Sequence, residues 1–148
     1  MAEQLNNLLR ERCIRGSVEE ARQALEAGAD PNARGRPFNN TCLIEATMFN
    51  HDGVVELLLS TPGIQVNAKG RNGSTALHKA CWKGSQAIIS MISSSPGVQL
   101  NERDNLGLTP IMKAILARQT PAVLQMASLP DVDLDVRRWE DMEEFATR

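Results

Sequence analysis

The stretch GSTALHKACWKG, Gly73 to Gly84, decides the fold, because its skeleton occurs three times. Thr41, Thr75 and Thr109 stand 34 residues apart, and Ala46, Ala80 and Ala114 keep the same step. So do Leu43, Leu77 and Ile111, and also Gly73 and Gly107, with Asn39 in the earlier slot. Pro62, Pro96 and Pro130 follow the same ruler, as do Asn67, Asn101 and Asp135. Self-similarity at a fixed period of this size marks a solenoid, in which each unit buries its apolar side only against its neighbours.

Within each unit the apolar residues recur at helical spacing, twice, with a break between. Four units follow, over about 3–35, 36–69, 70–103 and 104–136, all in one domain, 1–136. In the first, Leu5, Leu8, Leu9 and Cys13 define a helix that Gly16 ends. Ser17, with Glu20 three residues on, predicts a capping box for the second helix, which carries Ala21, Ala24 and Leu25 and stops at Gly28. In the second, Thr41 caps a short helix, Asn50 breaks it, and Val54, Val55, Leu57, Leu58 and Leu59 form the most apolar helix of the chain. The third pairs Ala76, Leu77, Ala80 and Cys81 with Ile88, Ile89, Met91 and Ile92. The fourth places Pro110 at the first helical position, where its missing N–H costs nothing, and a second helix from Pro121 to Ser128. Residues 137–148, RRWEDMEEFATR, read as an acidic amphipathic helix that either caps the last unit or continues into further chain.

Composition excludes several classes. A net charge of -2 and a pI near 5.7 speak against nucleic acid as the main ligand. No apolar run approaches the roughly 20 residues that cross a bilayer, and MAEQLNNLLRERC is charged where a secretory signal is apolar. The three cysteines, Cys13, Cys42 and Cys81, are odd in number and widely spaced. That pattern fits a reducing compartment, cytosolic or nuclear, and neither a disulfide frame nor a zinc site. With two histidines, His51 and His78, and no phosphate-binding, nucleophile-elbow or HExxH motif, catalysis has no support. No cofactor or metal is expected.

GSTALHKACWKG and GLTPIMKAI, each followed by a second apolar helix and a PG-x-x-[VL]-N loop, resemble ankyrin repeats. The resemblance covers nearly the whole chain and implies an all-α solenoid of helix-turn-helix units. It departs from the family pattern in places. Only His78 keeps the TxLH histidine, with Ile44 and Met112 in its slot, so apolar contacts are expected to substitute for its hydrogen bonds there. The first unit lacks the signature altogether.

The resemblance also implies a function. In this family, ligands lie along the concave face formed by loop tips and the exposed ends of the short helices. Carried over position by position, that face holds Phe38, Asn40, Met48 and Phe49 in the second unit. The third contributes Arg71, Ser74, Trp82 and Lys83. The fourth adds Leu106, Leu108 and Leu116, and Trp139 falls at the next loop tip. Two of the three phenylalanines and both tryptophans therefore fall on one strip, unless Phe38 and Leu106 fold back under their loops. An aligned apolar strip marks a binding site. Lys69, Arg71, Lys83 and Arg103 are expected to surround Trp82. The expected role is that of an adaptor or scaffold, a monomer that binds a protein or peptide with apolar anchors and an acidic neighbour. The alternative is a structural or regulatory module whose groove its own C-terminal segment occludes. The family also suggests a candidate modification site, Asn67, where asparaginyl hydroxylases act on such loops; Leu59 eight residues earlier fits that preference.

Overall fold

The computed structural model describes residues 1–134. The expected terminal helix over 137–148, with Trp139, lies outside the described residues, as does Asp135. Within 1–134 the repeat becomes four pairs of helices: α1 (Ala2–Arg15) with α2 (Val18–Glu26), α3 (Cys42–Met48) with α4 (Asp52–Leu59), α5 (Ala76–Lys83) with α6 (Gln86–Ser93), and α7 (Pro110–Leu116) with α8 (Thr120–Ala127). An antiparallel two-residue pair, β1 (Arg34–Gly35) and β2 (Asn40–Thr41), forms the loop before α3, with Arg34 opposite Thr41.

Two layers result. The odd-numbered helices pack in sequence, α1 on α3, α3 on α5 and α5 on α7; the even-numbered ones do the same from α2 to α8. Ala46, Ala80 and Ala114 are fully buried between the inner helices. A methyl at these positions lets two backbones approach, where a leucine would hold them apart. Leu9, Leu43, Leu77 and Ile111 run through one continuous core. Leu9 lies one period before Leu43, so the first unit shares the ruler even though it lacks the signature.

Helix ends follow the local sequence. Thr41 Oγ1 accepts the Ile44 amide at 3.3 Å, and Thr75 Oγ1 accepts that of His78 at 3.4 Å. Gly16 and Asn50 end α1 and α3 with positive φ, and Gly28 takes positive φ just past α2. The capping box at Ser17 does not form: the Ser17 side chain caps nothing, and Glu20 instead meets the Arg12 guanidinium at 2.6 Å. A charge-assisted contact with the end of α1 outcompetes a bond from a carboxylate back to a single amide. The last helix begins at Thr120, one residue before the expected Pro121, and ends at Ala127.

Side chains join the units in two rows. Asn32, Asn67 and Asn101 each donate from Nδ2 to a carbonyl one loop ahead, Gly63, Gly97 and Asp131, at 2.9, 2.8 and 2.8 Å. Each Oδ1 accepts a backbone amide from the same loop, that of Gln65, Gln99 or Asp133. The second row is His51, Ser85 and Gln119, the residues at the N-caps of α4, α6 and α8. None caps its own helix. His51 Nε2 donates to the Ile14 carbonyl at 2.8 Å, Ser85 Oγ to Asn50 Oδ1 at 2.6 Å, and Gln119 Nε2 to the Trp82 carbonyl at 3.3 Å. Each therefore ties its unit to the one before it.

Candidate functional site

The loops before α3, α5 and α7 and the outward ends of those helices share one side of the stack by repeat register. Four large apolar side chains are exposed there: Phe38 at 40%, Phe49 at 51%, Trp82 at 48% and Leu106 at 61%. Phe38 and Leu106 thus stay outside their loops. Arg71 covers Phe38, its Cζ 4.2 Å from the ring centroid, and Phe49 stacks with His51 at 6.3 Å. Met48 and Leu116, one period either side of Trp82, are half-buried. Leu116 packs beside Leu108 and Met112.

Three residues expected on this strip are buried. Asn40, Ser74 and Leu108 occupy one repeat position, immediately before the capping threonine, where the chain turns under its loop. Asn40 is held there by three bonds: Nδ2 donates to Glu45 Oε1 at 3.3 Å and to Met48 Sδ at 3.6 Å, and Oδ1 accepts the Arg71 amide at 2.9 Å. Asn40 and Leu108 therefore support the strip from beneath instead of forming its surface. Ser74 differs, because it lines an open cleft.

That cleft, about 120 Å³, lies beside Trp82 and is lined by Ser74, His78, Lys79, Trp82 and Lys113. Its basic residues are not the ones expected. Lys69 is engaged with Glu102 at 3.1 Å and with the Arg103 carbonyl at 2.9 Å, and Arg103 donates to the Gly107 carbonyl at 2.6 Å. Lys83 is exposed. Lys79 and Lys113, one period apart on α5 and α7, supply the charge instead. Lys113 Nζ lies 5.6 Å from the Trp82 ring centroid and 3.1 Å from Asp104 Oδ2. Asp104, whose side chain is buried, also accepts the Leu106 and Leu108 amides at 2.9 Å each. Burial, then the nearby charges of Lys113 and Arg71, push the Lys79 ammonium below its ordinary pKa.

Residues 9–104 match the family model for ankyrin repeats, in three copies. The chain belongs to the ankyrin repeat family. The match runs from within α1 to the loop after α6, and α7 and α8 continue the same packing beyond it. No curated protein matched the chain. Ankyrin repeats are generally protein–protein interaction modules and generally non-enzymatic.

His78 shows its ankyrin role in its bonding. Nε2 lies 2.8 Å from the Leu108 carbonyl, an acceptor, so Nε2 carries the proton. Nδ1 then accepts from the Thr75 hydroxyl at 2.8 Å and the Thr75 amide at 3.1 Å. Burial holds the ring neutral, below its ordinary pKa. Where the histidine is missing, Met112 Sδ accepts the Thr109 amide at 3.5 Å, whereas Ile44 fills its slot by apolar packing alone.

The thiols are all buried. A hydrogen bond to Cys42, then burial, raises the pKa of Cys13, and burial pushes Cys81 up to about 12. Both are thereby kept from the thiolate form that nucleophilic chemistry requires. Among the described residues, no group of three or more His, Cys, Asp or Glu could hold a metal, and no helix is long and apolar enough to cross a membrane. Asn67 is half-buried with both ends of its amide engaged in the loop ladder.

Proposed function

We propose that the concave face binds a protein or peptide partner, without catalysis, through apolar anchors set beside an acidic residue. The carrying observation is the exposure of Phe38, Phe49, Trp82 and Leu106 along the loop tips and helix ends. Nothing in the stack requires large apolar groups there, since the core is complete beneath them. Aromatic side chains flanked by Arg and Lys are the usual anchors of interfaces. Arg71 on Phe38 and Lys113 near Trp82 provide such flanks.

The test is selection of a displayed random-peptide library on the full chain, followed by affinity measurement with one selected peptide. Trp82→Ala and Phe49→Ala are expected to weaken binding without lowering the urea midpoint. Binding that ignores both substitutions removes the groove from the function. A gain in affinity on deleting residues 137–148 would instead favour occlusion of the groove by the chain's own C-terminal segment.

A further inference from the structure

We propose that the cleft beside Trp82 is a carboxylate subsite, and that it takes an Asp or Glu side chain of the bound protein partner between Lys79 and Lys113. The inference rests on the groove reading above and assigns the acidic contact to a specific place.

Charge is the first support. Two cations line the cleft, Lys79 and Lys113, and the other charges that act on Lys79 are Arg71 and the carboxylates of Asp104 and Glu45. Asp104 is committed to Lys113. Glu45, one period before Lys79, is buried and accepts a hydrogen bond from Asn40. Among the described residues Lys79 makes no ion pair, although it is half-buried. One positive charge is left over, which matches a monoanion. An ammonium held partly out of water without a counter-charge is a costly arrangement unless something supplies that charge.

Geometry is the second. Lys113 cannot swing freely, because Asp104 fixes its Nζ and Asp104 is itself fixed by two backbone amides. The Ser74 side chain makes no hydrogen bond among the described residues, so its hydroxyl can donate into the cleft. His78 has both ring nitrogens engaged and contributes only a wall. Trp82 lines the other side and supplies apolar surface for the methylenes of an acidic side chain. With about 120 Å³ the cleft is large enough to admit solvent or a small polar group. A carboxylate group fits that space.

The test uses the full chain and the same peptide library, which contains no phosphorylated residues. Peptides selected on the wild type are expected to carry Asp or Glu at a fixed step from an apolar residue. Changing that residue to Asn or Gln should weaken binding about tenfold, the usual scale for losing a charge-assisted hydrogen bond. Lys79→Gln should cause a similar loss, the two changes together should cost little more than either alone, and Lys79→Arg should retain binding. Lys79→Gln is preferred to any change at Lys113, because Lys79 has no ion pair to break. If the amide peptide binds the wild type as tightly as the acid while Trp82→Ala still abolishes binding, the carboxylate subsite is overturned and the groove reading survives. If Trp82→Ala is also without effect, the groove reading itself falls.

Discussion

The imidazole of His78 reaches one unit forward and donates Nε2–H to the Leu108 carbonyl at 2.8 Å. The ring must stay neutral to keep Nδ1 as an acceptor for Thr75. Its pKa in the folded chain lies below the ordinary 6.5, with burial as the main cause and the hydrogen bond to the Leu108 carbonyl, then the Asp104 carboxylate, opposing. The sign follows. Above pH 6.5 both folded and unfolded rings are neutral and stability is full. As pH falls below that value the unfolded ring takes a proton that the folded ring refuses, so stability declines towards the folded pKa. Urea midpoints at about pH 7.5 and about pH 5.5 should therefore differ, with the lower value in acid. In His78→Ile, which copies the residue at position 44, that difference should shrink although the protein is weaker at both. An unchanged difference would assign the acid sensitivity to another group.

The asparagine row predicts where the stack opens first. Asn67→Ala removes two hydrogen bonds between consecutive loops and leaves the Gly97 carbonyl and Gln99 amide to solvent. The expected cost is about 1–2 kcal/mol, because these groups are near the surface and water replaces part of the loss. In a solenoid each unit depends on its neighbours alone, so the damage should stay local. Native-state hydrogen exchange should show faster opening around Gly97 and Gln99, with the α1–α2 pair unaffected. Uniform acceleration along the chain would mean that the stack unfolds as one cooperative block.

The period was legible because packing repeats enforce residue size: Ala46, Ala80 and Ala114 admit nothing larger, and Thr41 and Thr75 must each supply a cap. The asparagine ladder was half legible, since Asn67 and Asn101 lie on the ruler while Asn32 is displaced from it by one residue. The row of His51, Ser85 and Gln119 also keeps the period, but a residue at an N-cap reads as a cap, and only the fold reveals that its bond goes to the previous unit. The surface was harder to read. Asn40, Ser74 and Leu108 share a position whose direction depends on how the loop folds over, and no side-chain chemistry signals that turn. Lys79 and Lys113 look like solvated residues on helix faces, and only the stacking of α5 against α7 brings them to one cleft.

Asp104 carries more of the fourth unit than a loop aspartate ordinarily would. Its side chain, 1% exposed, holds the amides of Leu106 and Leu108 with one oxygen and Lys113 with the other. Asp104→Ala leaves a buried amide without an acceptor and an ammonium without its partner, at an expected cost of about 2–3 kcal/mol. Asp104→Asn keeps an acceptor for the amides and loses the ion pair, so it should cost about 1 kcal/mol. Urea unfolding of both variants measures the split. Equal losses would mean that the charge, and not the loop hydrogen bonds, is what matters at this site.

Asn50, Gly84 and Arg118 share one repeat position at the end of an inner helix, and all three have positive φ, at 59°, 69° and 57°. Asparagine and glycine tolerate this region, whereas a long side chain pays about 1 kcal/mol for its Cβ. Among the described residues Arg118 makes no side-chain hydrogen bond or ion pair that would offset the strain. Arg118→Asn should therefore stabilise the chain by about 0.5 kcal/mol, read as a higher urea midpoint, and Arg118→Ala should not. The opposite sign is expected one unit earlier. A Cβ on Gly84 would collide with Gln119 Oε1, and the Gln119 side chain is the one that donates to the Trp82 carbonyl. Gly84→Ala should lower stability by about 1–2 kcal/mol, through left-handed strain and loss of that tie between units. If Gly84→Ala proves neutral, the tie contributes nothing and the backbone at this position is free to relax.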